Sequence, residues 1–144
     1  MNADQFFSDE ARARIVGAIE AAELATSGEI RLHIENFCKA DVLDRAAFVF
    51  EKLGMKETAE RNGVLFYLAL SDKKFAIIGD AGINAKVPAN FWEDVKNRML
   101  QHFLKEGFEE GLVEGINMAG HKLGLFFPRN SNDINELPND ISFE

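Results

Sequence analysis

The chain has 144 residues, 47% of them hydrophobic and 28% charged, with 24 acidic against 16 basic side chains and a formal net charge of −8. That length holds one domain with a single core, and the mixture excludes a disordered or fibrous chain. The acidic balance excludes nucleic acid as the main ligand and disfavours anionic lipid, since both depend on Lys and Arg; a divalent cation or a basic protein surface suits it better.

Ser8 followed by Asp9 and Glu10 reads as an N-cap with acids in the first helical turn. Ile15, Ile19 and Ala22 then recur at helical spacing, and Gly28 is the expected stop. Residues 29–35 (Glu-Ile-Arg-Leu-His-Ile-Glu) alternate polar and apolar without a fault, which predicts a strand with one face in water. Asp41 can cap a second helix that buries Leu43, Ala46, Ala47, Phe50 and Leu53, with Gly54 closing it. Residues 63–70 are apolar on both faces, as in a central strand, and a polar turn at 71–74 leads into a third strand near 75–79. Strand, helix, strand implies a parallel crossover, with the third strand antiparallel.

Residues 79–88 read as a loop rich in turn formers. Asn90 and Glu93 have capping-box spacing for a helix that turns Trp92, Val95, Met99 and Phe103 inward. Gly107 breaks it, and a last helix aligns Phe108, Leu112, Ile116, Ala119, Leu123 and Phe126 before Pro128. Gly111 and Gly115, one turn apart, are expected to permit close packing. Residues 129–144 show no sustained period and are expected to form a flexible acidic tail. The predicted fold is α/β: a three-layer α/β/α sandwich with a small mixed sheet and helices on both faces, in one domain over residues 1–128.

A search for chemistry excludes more than it finds. No serine stands in a Gly-x-Ser-x-Gly elbow, no phosphate-binding P-loop is present, and Gly79 to Gly82 has the wrong spacing for a dinucleotide fingerprint. Cys38, the only cysteine, rules out a disulfide framework and reads as a structural thiol. His33, His102 and His121 are scattered without metal-ligand spacing and are expected in solvent. The N-terminus lacks the basic start and apolar run of a signal peptide, and no apolar run is long enough to span a bilayer, so a cytoplasmic protein is expected.

The predicted sheet gathers polar residues at its two ends. One end collects Glu29, Arg61, Asn62, Asp80 and Asn84; the other collects Glu35, Asp41, Asp44 and Asp72. Calcium takes carboxylate, amide and carbonyl oxygens on glycine-containing loops, which the segment from Gly79 to Asn84 loosely offers. Turn hydrogen bonds account for Asp80 and Asn84 as well. The fold rule that ligands sit at the carboxyl ends of parallel strands points instead to Asp41 and Asp72.

Three segments carry a resemblance: Thr26-Ser27-Gly28-Glu29-Ile30-Arg31, Arg61-Asn62-Gly63-Val64-Leu65, and the stretch from Asp72 to Asn84 that contains Gly79-Asp80-Ala81-Gly82. With Phe108-Glu109-Glu110-Gly111-Leu112, they resemble the TPM domain family over residues 6–128. That family groups thylakoid-lumen phosphatase-like proteins, photosystem II repair proteins, nematode receptor-auxiliary proteins and bacterial relatives. The resemblance implies an α/β/α sandwich, binding of a divalent cation (calcium first, magnesium second), and an acid phosphatase activity known for plant members. By position it implies Asp80, Asn84, Asn62 and Glu29 as metal ligands. Many relatives carry Gly-Tyr-Gly-Leu-Glu where this chain has Asn84 in place of the Glu, which lowers the charge of the loop. Many bacterial relatives also carry a signal peptide and an anchor.

Three functions follow as expectations. The first is a cation-binding accessory or assembly and repair module with a protein partner. The second is a metal-assisted phosphatase, with Asp80 as ligand, Glu29 as base and Arg61 on the phosphate. The third is an interaction domain with a lapsed cation site, for which Phe126 and Phe127 would offer an apolar contact.

Overall fold

The computed structural model describes residues 3–129 and 136–144. After a single turn, α1 (Ala3–Phe6), the Ser8 side chain accepts from the N–H of Ala11 at 3.1 Å and starts α2 (Asp9–Ala25). Thr26 stops that helix in extended conformation, its hydroxyl accepting from Gly28 N at 3.0 Å and donating to Phe127 O at 2.5 Å. The chain thereby enters β1 (Glu29–Glu35) in a fixed register. Asp41 caps α3 (Val42–Lys52) through the N–H groups of Leu43 and Asp44, and Gly54 leaves it at φ 69°. β2 (Gly63–Ala69) and β3 (Lys74–Gly79) form the expected antiparallel hairpin, and β1 runs parallel to β2 from Glu29↔Gly63 to Glu35↔Ala69.

Three elements differ from the sequence expectation. The segment after β3 is not wholly loop: Asp80 caps a short helix, α4 (Ala81–Lys86), because its carboxylate meets the N–H of Ala81 at 2.7 Å. The capping box proposed for α5 (Glu93–Phe103) does not form. Asn90 uses its backbone carbonyl to bond Glu93 N, and the N-cap position falls to Trp92 with no side-chain bond. The third difference lies in the C-terminal segment. Residues 136–144 pack along β1, ending in β4 (Ser142–Phe143), which adds parallel to it at His33↔Ser142 and Ile34↔Phe143. The tail expected to be flexible is therefore docked over this part, while its residues 130–135 lie outside the described residues.

The sheet order is β3-β2-β1-β4, one strand more than predicted. The apolar face of β1 and its neighbours meets α2, α5 and α6 (Phe108–Gly124) around Ile15, Ile19, Ile30, Phe66, Met99 and Ile116. Gly111 and Gly115 let α6 approach α5: a Cβ on Gly115 would stand 2.6 Å from the Met99 sulfur. The opposite face carries α3 through Ala46, Val49 and Phe50, with Leu137 of the C-terminal segment beside Leu65 and Met55. On α3 the inward stripe is narrower than predicted, since Leu43 is 56% exposed and Ala47 also faces solvent. Phe127 is buried and Phe126 packs on Phe91 at 5.5 Å, so this pair is core and not an exposed apolar contact. Among the described residues, no helix is long and apolar enough to cross a membrane.

Candidate functional site

The polar residues cluster at two places set by the ends of the sheet. At the first, β3 runs out at Gly79 and the ladder continues one step, with Asp80 N donating to Gly63 O at 2.9 Å. This places Asp80 beside the residues that lead into β2. Gly82 then crosses so close to that segment that a Cβ would lie 2.6 Å from Arg61 O, and its N–H donates to the same carbonyl at 2.8 Å. Arg61 holds φ 51° and turns its guanidinium onto Asp80, Nε to Oδ2 at 2.8 Å and Nη2 to Oδ1 at 2.8 Å. The carboxylate is buried while the Arg61 side chain is 44% exposed.

Asn62 follows directly, its Nδ2 donating to Ser27 O at 3.2 Å and to Glu60 Oε2 at 3.3 Å. Asn84 sits in α4, exposed, with Nδ2 on Gly79 O at 3.2 Å. The structure thus brings Asp80 and Arg61 into direct contact, with Asn62 and Asn84 on the flanking chain. Glu29 behaves differently. Its carboxylate accepts the N–H groups of Glu136 and Leu137 at 2.8 and 2.9 Å and fastens the C-terminal segment.

The second place is the outward face of β1, where the expectation of a wet strand face fails. Glu29, Arg31, His33 and Glu35 are all buried, because α3 and residues 136–144 cover them. His33, expected in solvent, is 3% exposed; its Nδ1 meets Ser142 Oγ at 2.9 Å and its Nε2 meets Glu35 Oε1 at 3.1 Å. His102 is half-buried against Glu114 at 2.5 Å, and only His121 faces solvent as expected. Arg45 forks Glu35 at 2.8 and 2.7 Å, Tyr67 donates its hydroxyl to the same carboxylate, and Arg45 and Lys52 both reach Glu144.

Burial alone would push the Glu35 carboxyl up, but hydrogen bonds from Arg45, Tyr67 and His33 outweigh it and hold the group at about 2. Burial lowers His33, leaving it a neutral imidazole near pH 7. One atom each of His33, Glu35 and Glu144 lie within 4.8 Å of one another, a spacing a metal ion could bridge. The cations Arg45 and Lys52 already fill that role. Asp41 and Asp72, two more of the acids expected at this end, are structural. Asp41 caps α3, and Asp72 accepts Cys38 N at 2.6 Å to tie the hairpin to the loop after β1. A cleft of about 280 Å³ opens at the carboxyl ends of β1 and β4, lined by Asp4, Asn36 and Glu144.

With this geometry in view, the likenesses are specific. A family model described as the TPM domain matches residues 1–122. The chain belongs to the TPM domain family. Among solved structures, BA42 from the psychrophilic bacterium Bizionia argentinensis is 46% identical, covering 98% of this chain and 97% of that one, with a TM-score of 0.93. The N-terminal domain of a P. gingivalis protein matches at 19% identity and TM-score 0.71, over 89% of this chain and 84% of its own. The N-terminal domain of cg2496 protein from Corynebacterium glutamicum matches at 14% and 0.64, over 90% and 80% respectively. The last two bear on fold alone. No curated protein matches the chain. The α/β TPM fold is therefore the one predicted, and the segment at 136–144 lies beyond the residues of the family match.

The sequence reading missed the buried row on β1. Its signal was present twice: charges of both signs at alternate positions of one strand, and the matching polar-apolar alternation of Asp140-Ile141-Ser142-Phe143-Glu144. The second run is a strand pattern of period two, short enough to pass for tail.

Proposed function

We propose that this TPM-domain protein is a divalent-cation-binding accessory module, with calcium preferred over magnesium. The observation that carries the reading is the state of Asp80, a carboxylate 5% exposed that, among the described residues, meets the Ala81 N–H and one cationic side chain, the half-exposed Arg61. A guanidinium reaching in from the surface stands where a hard cation would stand, and it can swing into water when an ion arrives. Asn62 and Asn84 supply amide oxygens on the flanking chain, an irregular set that suits the flexible shell of calcium better than the strict octahedron of magnesium. At the other end an ion would have to displace Arg45 and Lys52 and also separate Tyr67 from Glu35. The Asp80 loop presents the smaller barrier.

The test is an amide NMR titration with calcium on the wild type, Asp80→Asn and Arg61→Ala. Shifts are expected at Asn62 and residues 79–84, and the Asp80 variant abolishes them. Arg61→Ala removes the competitor and should tighten calcium binding by roughly tenfold, the worth of one charge-assisted hydrogen-bonded pair. Weaker binding in Arg61→Ala, or shifts centred on Asp41, Asp72 and Glu144, would overturn the assignment to this loop.

The same pair supports a second reading as a phosphatase. Release of Arg61 from Asp80 frees a guanidinium to clamp phosphate oxygens, next to an ion that polarises the phosphoryl group. That reading requires turnover of an aryl phosphate which disappears in both variants. Activity that survives either one belongs to a contaminant.

A further inference from the structure

The row on β1 is matched unevenly by the segment that covers it. Glu29 receives the N–H groups of Glu136 and Leu137, His33 meets Ser142, and Glu35 shares Arg45 with Glu144. Arg31 is the exception. It is 9% exposed, its Nε is shut off from water without a hydrogen-bond partner, and among the described residues the Asp140 carboxylate acts on it through its charge, without a hydrogen bond. The parallel register that pairs His33 with Ser142 sets Asp140 opposite Arg31. Alternation agrees: Ile141 and Phe143 pack on the main core, so Asp140, Ser142 and Glu144 share the polar side. Yet Asp140 is exposed, and its carboxylate acts on the guanidinium through its charge alone and leaves Nε without a hydrogen bond. A buried guanidinium calls for a bidentate carboxylate, and the chain's own segment supplies none.

We propose that this face of β1 is a docking groove for an extended acidic segment of a partner protein. The segment adds parallel to β1 in place of residues 136–144, and Arg31 selects a glutamate two positions before the hydroxyl residue that meets His33. Strand addition takes its affinity from main-chain bonds and its selectivity from alternate side chains, and here those contacts are already laid out. The Glu144 N–H on Ile34 O at 3.1 Å supplies the main-chain term, while Arg31, His33 and Arg45 read successive alternate side chains. β4 itself is only two residues long, so besides the Glu29 bonds to Glu136 and Leu137, which an incoming main chain can replace, little ladder has to be given up. A second copy of this chain is the poorer occupant, because it would bring the same Asp140 and leave Arg31 Nε without a hydrogen bond. The proposal names the partner surface that an accessory role needs, and it stands or falls independently of the Asp80 loop.

The experiment uses the full chain and labelled peptides of residues 136–144 carrying Asp140, Asp140→Glu or Asp140→Gln, followed by fluorescence anisotropy. The tethered segment competes at high effective concentration, so the Glu144→Gln chain is run in parallel to loosen it. The Glu peptide should bind roughly tenfold tighter than the Asp or Gln peptides, as expected for one charge-assisted pair. All peptides should bind the Glu144→Gln chain more tightly than the wild type, and Arg31→Gln should erase the preference for Glu. Within the chain itself, Asp140→Glu should raise the melting temperature, and Arg31→Gln should cancel the gain. Equal affinity for the Glu and Gln peptides, a preference that survives Arg31→Gln, or no binding to the loosened chain would each overturn the proposal. So would a dimer formed by exchange of this segment between copies with no gain from Asp140→Glu.

Discussion

Glu23 shows how far one buried side chain can set a property of the protein. It lies on the inner face of α2, 6% exposed, and its Oε2 accepts the N–H of Ile30 at 2.8 Å where β1 begins. Burial raises its carboxyl from 4.5 to about 7, the hydrogen bond from Ile30 only partly opposing the shift. The folded protein therefore keeps this proton to higher pH than the unfolded chain does. Its contribution to stability is complete below pH 4.5 and is lost as pH rises through about 7. Glu23→Gln keeps the acceptor and removes the charge, so it should abolish a loss on the order of 2 kcal/mol. Urea unfolding of both proteins at pH 4.5 and pH 8 measures it, and equal losses in the two would show that Glu23 does not titrate in this window. Arg31 is the other residue whose burial was decided by a distant segment. A charge on an alternating strand normally faces water, and only the docking of residues 136–144 puts this one under cover.

At the scale of elements, periodicity was a sound guide wherever one face met one core. The Ser8 and Asp41 caps, the three longer strands and the inward residues of α5 and α6 all follow from local chemistry. Asp41→Ala should cost about 1 kcal/mol, the usual worth of an N-cap, read as a lower urea midpoint. The α5–α6 contact is more sensitive. A Cβ at Gly111 would stand 2.5 Å from the Phe103 ring, which is itself wedged against Phe75 and Phe108. Gly111→Ala should therefore destabilise by about 1–2 kcal/mol, overpacking outweighing the better helix propensity of alanine. A gain in melting temperature would mean that the ring moves aside. The elements misread were the short ones. α4 depends on Asp80 for its cap and β4 on a neighbour for its ladder, so neither carries enough periodic signal to be seen alone.

For the whole molecule the two buried carboxyl systems act in opposite directions. Burial would raise Glu35, but Arg45, Tyr67 and His33 hold it at about 2, so its contribution is present above pH 4.5 and is lost as pH falls through about 2. With Glu23 losing its contribution on the other side, stability should peak on the acid side of neutrality. Thermal unfolding from pH 3 to pH 8 would show that maximum, and a flat profile would mean that the two networks open before they titrate. Local chemistry by itself determined the α/β sandwich, the parallel pairing of the first two strands and the concentration of polar residues at the sheet ends, because each arises from the spacing of neighbouring residues. What only the tertiary structure decided is which of those polar groups meet: Arg61 on Asp80, Glu29 on the C-terminal segment, and the β1 row under cover. These contacts join residues far apart in the chain, and burial and charge pairing at such range depend on where the whole sheet and its last strand come to lie.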